Sequence, residues 1–350
     1  MTHAVVTGGA GFIGSHLVES LLQIGYSVHV IDDLSGGSRD TLSAVHGDPR
    51  LQITFDTILN ESLMDEIIAN ADIVFHFAAA VGVQRILARP LTSLIANLRG
   101  TDIVLQAADR SRCPIILAST SEVYGKNDTG SLREDADRIL GPATLSRWHY
   151  ATAKAADEAL ARAYHEEHGL RTMVVRFFNT IGPHQTGQYG MVVPRFVRQA
   201  LQDAPLTVFG DGQQTRCFTD VRDVVRAVVA LAECDAAWGE IINIGGAAEI
   251  AIDVLAERII HLVGSDSEVV HVPYAEAYAR GYEDMRRRVP DVSKLRGLIG
   301  FAPETDLDET LCRIIQSHQE HVSRQMHAVD CTEPSSLTIG AVTEHLRLAR

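Results

Sequence analysis

The stretch Thr7-Gly8-Gly9-Ala10-Gly11-Phe12-Ile13-Gly14 decides the fold of this chain, because it joins an apolar run to a helical pattern. The run at residues 3–7 predicts a strand, and the pattern that follows predicts a helix reaching about residue 24. Glycines let the backbone turn sharply and approach a pyrophosphate, which would then lie on the free N–H groups at the positive end of the helix. The stretch therefore predicts a strand, a phosphate-binding turn and a helix.

A pair of acidic residues follows the second predicted strand, at residues 28–31. Asp32 comes 18 residues after Gly14, close to where an acidic side chain accepts hydrogen bonds from the adenosine ribose of a dinucleotide. A carboxylate in that place repels a 2′-phosphate, so the sequence favours NAD over NADP.

Strand and helix patterns then alternate along the first half of the chain. Strands are predicted at residues 51–55, 73–77, 115–118 and 171–176, and helices at 63–69, 91–108 and 145–168. Such alternation predicts an α/β fold with a doubly wound parallel sheet of the Rossmann type. Ligands of these sheets bind at the carboxyl ends of the strands. Small or polar residues stand at those ends, at 56–57, 76–79, 119–122 and 177–179.

Composition limits the class of protein. A formal net charge of −14 over 350 residues argues against nucleic acid or an anionic membrane as the main partner, because both require a concentrated positive field. The five cysteines have no Cys-x-x-Cys spacing, which predicts neither a disulfide framework nor a zinc site and indicates a reducing cytoplasm. We expect no metal site, no signal peptide and no membrane span.

Tyr150 and Lys154 are four residues apart and therefore share one face of a predicted helix. Lysine is rare in this chain: only three of its 31 basic residues are Lys, and the others are Arg. A compact ammonium can hydrogen-bond a ribose and polarise a neighbouring phenol, which a guanidinium fork does less well. We expect the Lys154 ammonium to lower the pKa of Tyr150.

Five motifs in order resemble the extended short-chain dehydrogenase/reductase superfamily, and in particular its nucleotide-sugar epimerases, dehydratases and decarboxylases. They are the glycine turn, His76-x-Ala78-Ala79, Ser119-Thr120-Ser121-Glu122-Val123-Tyr124-Gly125, Tyr150-x-x-x-Lys154 and Arg176-Phe177-Phe178-Asn179. The resemblance extends from Thr7 to about Leu311. It implies an NAD-binding Rossmann domain at 1–180 with returning segments near 216–245, a smaller mixed α/β substrate lobe at 181–215 and 246–325, and a tail of unknown role at 326–350.

The resemblance also implies roles for individual residues. Cofactor contacts are implied for Gly8, Gly11, Phe12, Ile13, Gly14, Asp32, Asp33, Ser35, Asp56, Thr57, Phe77, Ala78, Ala79, Asn97, Tyr150, Lys154 and Phe177. On the substrate side, Asn179 and the Val193 backbone would contact the diphosphate sugar. Phe209 would flank the base, Arg216 would bind phosphate, and Arg288 of the run Arg286-Arg287-Arg288 would bind the diphosphate.

In the chemistry that the resemblance implies, Tyr150 removes a proton from the sugar 4-hydroxyl while C4 gives a hydride to NAD. Lys154 holds the nicotinamide ribose, and Thr120 bridges the hydroxyl and Tyr150. The 4-keto sugar then has three fates. Most expected is 4-epimerisation of a UDP-hexose or UDP-hexuronate, because the loop at 79–83 resembles bacterial sequences labelled sugar epimerases.

Decarboxylation of UDP-glucuronate is the rival, because Thr120-Ser121-Glu122 and Thr215-Arg216-Cys217-Phe218 resemble the decarboxylases. Sugar 4,6-dehydration is less expected, since Ser121 replaces the acid of that family's Asp-Glu pair. An NAD-binding regulatory protein is the alternative outside enzymes, although Thr120, Tyr150 and Lys154 argue against it. The resemblance further implies a homodimer through the predicted helices at 91–108 and 145–168.

Overall fold

The computed structural model describes residues 1–187, 191–277 and 285–330, apart from the side chains of residues 83–85, 275, 321, 322 and 324–330. Its strands are β1 (His3–Thr7), β2 (Ser27–Ile31), β3 (Leu51–Thr54), β4 (Ile73–His76), β5 (Ile115–Thr120), β6 (Thr172–Phe177), β7 (Thr180–Ile181), β8 (Leu206–Phe209), β9 (Thr215–Cys217), β10 (Thr219–Asp220), β11 (Ile241–Ile244), β12 (Glu249–Ala251) and β13 (Val269–Val272). Its helices are α1 (Phe12–Gln23), α2 (Glu61–Ile68), α3 (Val83–Ala88), α4 (Pro90–Ser111), α5 (His149–His168), α6 (Val192–Leu201), α7 (Val221–Ala232), α8 (Ile252–Val263), α9 (Tyr274–Ala277), α10 (Ser293–Ile299) and α11 (Leu307–Asp330).

Seven strands form one parallel sheet in the order β11-β6-β5-β4-β1-β2-β3. The chain adds β2 and β3 on one side of β1 and then crosses to add β4, β5 and β6 on the other. This reversal beside β1 is the switch point at which doubly wound sheets bind their ligands. The predicted doubly wound α/β fold is confirmed.

Buried side chains cover both faces of this sheet. Successive residues of a strand point to opposite faces, so a strand buried on both sides is apolar almost throughout. One cluster contains Val6, Val30 and Phe75 with residues of α1 and α7. The other contains Val5, Val74 and Leu117 with residues of α2 and α4. The sheet therefore holds the carboxyl ends of its strands in fixed positions.

Two element boundaries near the predicted catalytic residues differ from the sequence prediction. Strand β5 continues to Thr120, two residues beyond the predicted end. Helix α5 begins at His149, after the 3₁₀ turn Ser146–Trp148, so the predicted start at 145 was wrong. The extended backbone of Leu145 breaks the helix there. Tyr150 consequently lies in the first turn of α5.

The second half of the chain builds a further core around α6, α8 and α11. Its buried residues include Phe196, Leu255, Leu311 and Ile314. Short strand pairs accompany it, with β13 parallel to β8 and β12 antiparallel to β9. The division into domains at the predicted boundaries stays a prediction, and tail residues 331–350 lie outside the described part of the chain. Among the described residues, no helix is long and apolar enough to cross a bilayer.

Candidate active site

The glycine turn is packed so closely that side chains would not fit at two of its positions. A Cβ on Gly8 would lie 2.7 Å from the Ala78 nitrogen, and Gly8 has a positive φ of 73°. A Cβ on Gly14 would lie 2.1 Å from the Gly8 oxygen. Helix α1 starts at Phe12 with Gly11 as its N-cap and no side-chain cap. The first N–H groups of α1 therefore stay available to an anionic ligand.

Asp32 ties the glycine turn to the end of β2. Its Oδ2 accepts a hydrogen bond from the Ala10 nitrogen at 3.0 Å, and its Oδ1 accepts one from the Leu34 nitrogen at 2.7 Å. Burial raises the pKa of this carboxyl. Each oxygen keeps a lone pair, so the predicted ribose contact is chemically compatible with this role.

Other acidic residues predicted at the cofactor also organise their own loops. Asp33 Oδ1 accepts from the Ser35 nitrogen at 2.8 Å. Asp56 Oδ1 accepts from the Thr57 nitrogen at 2.7 Å, and its Oδ2 accepts from Asn60 Nδ2 at 3.0 Å. Their contacts with NAD stay predictions.

Polar contacts with α4 and β1 hold the loop that follows β4. Asn97 Oδ1 accepts from the Ala80 nitrogen at 2.7 Å, and its Nδ2 donates to the Ala80 oxygen at 3.2 Å. The Ala78 nitrogen donates to Thr7 Oγ1 at 3.2 Å. The rings of Phe77 and Phe177 meet edge to face, with centroids 5.5 Å apart. We infer that Asn97 shapes the predicted cofactor floor by holding the backbone of residue 80.

Lys154 is buried on α5 and leaves its ammonium available. Its Nζ lies 3.2 Å from Asp157 Oδ2, and its side chain is 1% exposed. The ammonium carries three N–H donors, and the contact with one oxygen of Asp157 can satisfy only one of them. Buried donors are normally satisfied, so the others indicate a place for a further acceptor. The glycine cradle and this ammonium together fit a dinucleotide, whose ribose hydroxyls would accept from Lys154.

The surroundings of Tyr150 make its phenol less acidic. Burial, followed by the negative charges of Glu122 and Asp157, raises the pKa of this phenol. That Lys154, together with the positively charged nicotinamide ring of NAD, keeps Tyr150 acidic enough to act as a base stays a prediction.

Two arginines contact Ser121 and Glu122 at the carboxyl end of β5, and a third, Arg216, lies near enough for its charge to act on Glu122. Arg147 donates to both carboxylate oxygens of Glu122, through Nη1 to Oε2 and through Nη2 to Oε1 at 3.1 Å. Arg288 Nη1 lies 3.6 Å from Glu122 Oε1 and donates to Ser121 Oγ at 3.2 Å. Burial alone would raise the pKa of Glu122, but the charges of Arg147, Arg288 and Arg216 lower it to about 2.

The predicted substrate residues lie on the second half of the chain and on the turn after β6. Arg216 is 7% exposed, and its Nη1 donates to the Thr215 oxygen at 2.7 Å. Asn179 has a φ of +33°, and its Nδ2 donates to the Cys217 oxygen at 3.1 Å. Val193 is buried in α6. The structure thus brings Arg216 and Arg288 together at Glu122, and the substrate roles of all five residues stay predictions.

Three contributors to the site were missed from the sequence. Arg147 clamps Glu122; its position three residues before Tyr150 is the signal that could have identified it. Arg195 places its guanidinium carbon 4.1 Å from the centroid of the Phe209 ring, on which the base was predicted. Glu158 on α5 accepts hydrogen bonds from Ser119 Oγ at 2.5 Å and from Arg176, and so ties the end of β5 to α5.

The clamp on Glu122 predicts a pH-dependent stability. The folded-state pKa of about 2 is below the ordinary value of 4.5, so this carboxylate stabilises the fold fully above that value and loses the contribution as pH falls toward 2. The free energy of unfolding of wild type should therefore fall more than that of Glu122→Gln between about pH 5 and pH 3, measured by urea denaturation. Glu61→Gln, at an exposed ion pair, should keep the wild-type slope. Parallel slopes for wild type and Glu122→Gln would contradict the clamp.

With its switch point, its glycine cradle and the pair Tyr150 and Lys154 on one helix, this geometry is that of the dinucleotide-dependent short-chain dehydrogenase/reductase class. Residues 4–245 match the NAD dependent epimerase/dehydratase family, and the chain belongs to that family. The resemblance predicted from the motifs is confirmed, and the cofactor is NAD.

Similar proteins carry out several reactions. A UDP-N-acetyl-alpha-D-glucosaminuronate decarboxylase from Bacillus cytotoxicus is 41% identical over 90% of this chain and 97% of its own length. The structure of a UDP-glucuronic acid 4-epimerase from Bacillus cereus, with UDP-glucuronic acid and NAD, is 28% identical with a TM-score of 0.83, over 91% of this chain and 100% of that one. A dTDP-glucose 4,6-dehydratase from Streptomyces venezuelae with NAD bound is 31% identical with a TM-score of 0.84, over 92% and 98%. The protein is an NAD-dependent enzyme that modifies nucleotide-linked sugars.

Proposed function

We propose that this enzyme decarboxylates a UDP-linked hexuronate, with UDP-N-acetylglucosaminuronate as the first substrate to test. The 41% identity to a decarboxylase of that substrate carries the proposal. The charges of Arg147, Arg288 and Arg216 act on Glu122, and guanidinium groups are also the side chains that best recognise a carboxylate such as that of the sugar C6. The sequence ranked epimerisation first, and the identity to the decarboxylase reverses that order.

The chemistry follows from the position of the carboxyl group. When bound, NAD accepts a hydride from the sugar C4 and can return it. Tyr150 takes the proton of the 4-hydroxyl, and the Thr120 hydroxyl orients the same oxygen. The 4-ketone makes the C6 carboxylate a β-keto acid, so the C5–C6 bond breaks, carbon dioxide leaves and the electron pair moves to the C4 oxygen. A proton from solvent then adds to C5, giving a UDP-linked 4-keto-pentose, and hydride return would give a UDP-pentose. The product from UDP-N-acetylglucosaminuronate keeps its 2-acetamido group, whereas UDP-glucuronate would give UDP-xylose.

The state of Glu122 argues against 4,6-dehydration. That reaction needs an acid to protonate the departing 6-hydroxyl. With a pKa of about 2, Glu122 is ionised at neutral pH, and the neighbouring Ser121 is no acid. Neither residue can supply the proton.

A 4-epimerase acting on a UDP-hexuronate is the second candidate, because the same guanidinium groups would hold a carboxylate that is retained. Incubation with UDP-N-acetylglucosaminuronate, UDP-glucuronate and UDP-N-acetylglucosamine separates the candidates, with carbon dioxide measured and products identified by NMR and mass. Decarboxylation predicts carbon dioxide and a pentose or 4-keto-pentose from a uronate. Inversion at C4 with all carbons retained would instead establish the epimerase. No product and no reduced cofactor from any of the three would indicate an NAD-binding regulatory protein.

We also propose a homodimer that uses α4 and α5, which pack against each other. Leu91 and Ile95 are 69% and 44% exposed and lie four residues apart on α4, so they share one face of that helix. Sedimentation at micromolar concentration should show a dimer, and Leu91→Glu should shift it to monomer because it would bury a charge in the interface. Val254→Glu, at an exposed apolar position on α8, should leave the dimer intact. A monomeric wild type would refute the proposal.

A further inference from the structure

A second buried carboxylate stands behind the predicted catalytic lysine. Asp157 follows Lys154 by three residues on α5, its side chain is 0% exposed, and its Oδ2 lies 3.2 Å from Lys154 Nζ. Burial raises the pKa of Asp157, and Lys154 and the Thr101 hydroxyl oppose that rise. An isolated carboxylate this deeply buried would be strongly destabilising, so the ion pair with Lys154 explains how it is tolerated.

Asp157 also connects Lys154 to the predicted cofactor floor. Thr101 Oγ1, beside Asp157, is 3.1 Å from His76 Nε2, and His76 Nδ1 is 2.8 Å from Thr7 Oγ1. Thr7 Oγ1 in turn accepts from the Ala78 nitrogen. Burial, and then the charge of Lys154, lowers the pKa of His76 to about 3, so this ring is neutral and relays no charge. The contacts from Asp157 to Thr7 therefore contain one negative charge, that of Asp157, and it lies next to the Lys154 ammonium.

We propose that Asp157 is a positioning residue, which holds the Lys154 ammonium on the face of α5 that Lys154 shares with Tyr150, through their buried contact at 3.2 Å. The idea rests on the oxidation step of the proposed function, which decarboxylase and epimerase share. It is therefore independent of the product. A hydrocarbon side chain would fill the same space without desolvating a charge, so packing alone does not account for a carboxylate here.

The charged groups around Lys154 and Asp157 define the direction in which the pKa of Tyr150 should change when Asp157 loses its charge. Glu122, from the turn after β5, and Asp157, on α5, both raise the pKa of Tyr150. Arg147 and Arg288 offset the charge of Glu122, and Arg176 pairs with the adjacent Glu158. Removing the charge of Asp157 should thus leave the Lys154 ammonium unopposed near Tyr150 and make the phenol more acidic.

The first test is the pH dependence of cofactor reduction. The rate of NADH formation, followed at 340 nm, is plotted against pH. In Asp157→Asn, the rising limb of this pH–rate profile should move to lower pH by about one unit, because Tyr150 acts as a base and must be deprotonated. Asp157→Ser, smaller and also uncharged, should show the same shift if Asp157→Asn folds poorly. Asp223→Asn is the control; this buried carboxylate binds the nitrogens of Glu304 and Thr305 and should leave the limb in place. A limb that stays in place or moves up in the Asp157 variants would overturn the proposal.

The second test needs neither substrate nor activity, so it separates a failure of this idea from a failure of the proposed function. Urea denaturation midpoints are measured for Lys154→Met, Asp157→Asn and the double variant in protein stripped of cofactor. Each single change leaves one buried charge unpaired, whereas the double change leaves none. The double variant should therefore lose less than the sum of the single losses. Additive losses would mean that the two side chains do not form the pair.

Discussion

Tyr150→Phe is expected to lower turnover by about 10²–10⁴-fold, the range that a positioned general base contributes, while NAD stays bound. The hydroxyl is the only group lost, and Phe preserves the aromatic ring at the start of α5. NAD binding should persist because the glycine cradle and Lys154 are unchanged. Turnover is measured from the product of the accepted UDP-sugar, and bound NAD from the absorbance of cofactor released on heating.

The matched control is Tyr164→Phe, which removes a phenolic hydroxyl from the same helix, at a ring that contacts His168. It should keep wild-type turnover. Retained turnover in Tyr150→Phe would remove this residue from the mechanism, whereas loss of bound NAD would assign it to binding.

Arg176→Met is expected to lower the free energy of unfolding by about 3–5 kcal/mol, because it leaves the buried Glu158 carboxylate with only the exposed Arg138 guanidinium, 3.9 Å away, as a counter-ion. The Arg176 and Glu158 side chains are 4% and 2% exposed. Arg176 donates to both oxygens of Glu158, from Nε at 2.8 Å and from Nη2 at 2.7 Å. The loss is measured by urea denaturation at neutral pH.

Arg50→Met provides the comparison, since Arg50 makes a similar two-point contact with Asp48 at the surface. Solvent screens that pair, so the variant should unfold at nearly the wild-type midpoint. Equal midpoints for Arg176→Met and Arg50→Met would mean that burial does not strengthen the Glu158 pair. Because Glu158 also binds Ser119, the Arg176 variant should in addition loosen the end of β5.

Much of the fold could be predicted because its signals are local. Glycine spacing, apolar runs and their alternation with helical patterns are each read within a short window. The strand β11 was not predicted, since Ile241–Ile244 is short and pairs with β6, which lies more than 60 residues earlier in the chain. The start of α7 at Val221 also has a local signal, because Asp220 is a favourable N-cap and accepts from the Arg222 nitrogen.

The sequence identified most residues of the candidate site but not their charge states. Tyr150, Lys154 and Glu122 were named from motifs, whereas Arg147 was missed, as was the rise in the pKa of Tyr150 that burial, Glu122 and Asp157 cause. A pKa depends on burial and on every charge nearby, including residues remote in sequence. The partner Asp157 was visible at helical spacing from Lys154, but its complete burial was not.

Local residue spacing is sufficient for the doubly wound sheet, the glycine cradle and the preference for NAD, because each of these depends on backbone geometry over a few consecutive residues. The tertiary structure alone decides that Arg147, Arg216 and Arg288 meet at Glu122, and that Lys154 shares its buried site with Asp157. Electrostatic energies vary with distance and solvent access, and folding sets both by bringing together residues more than 160 positions apart, such as Ser121 and Arg288.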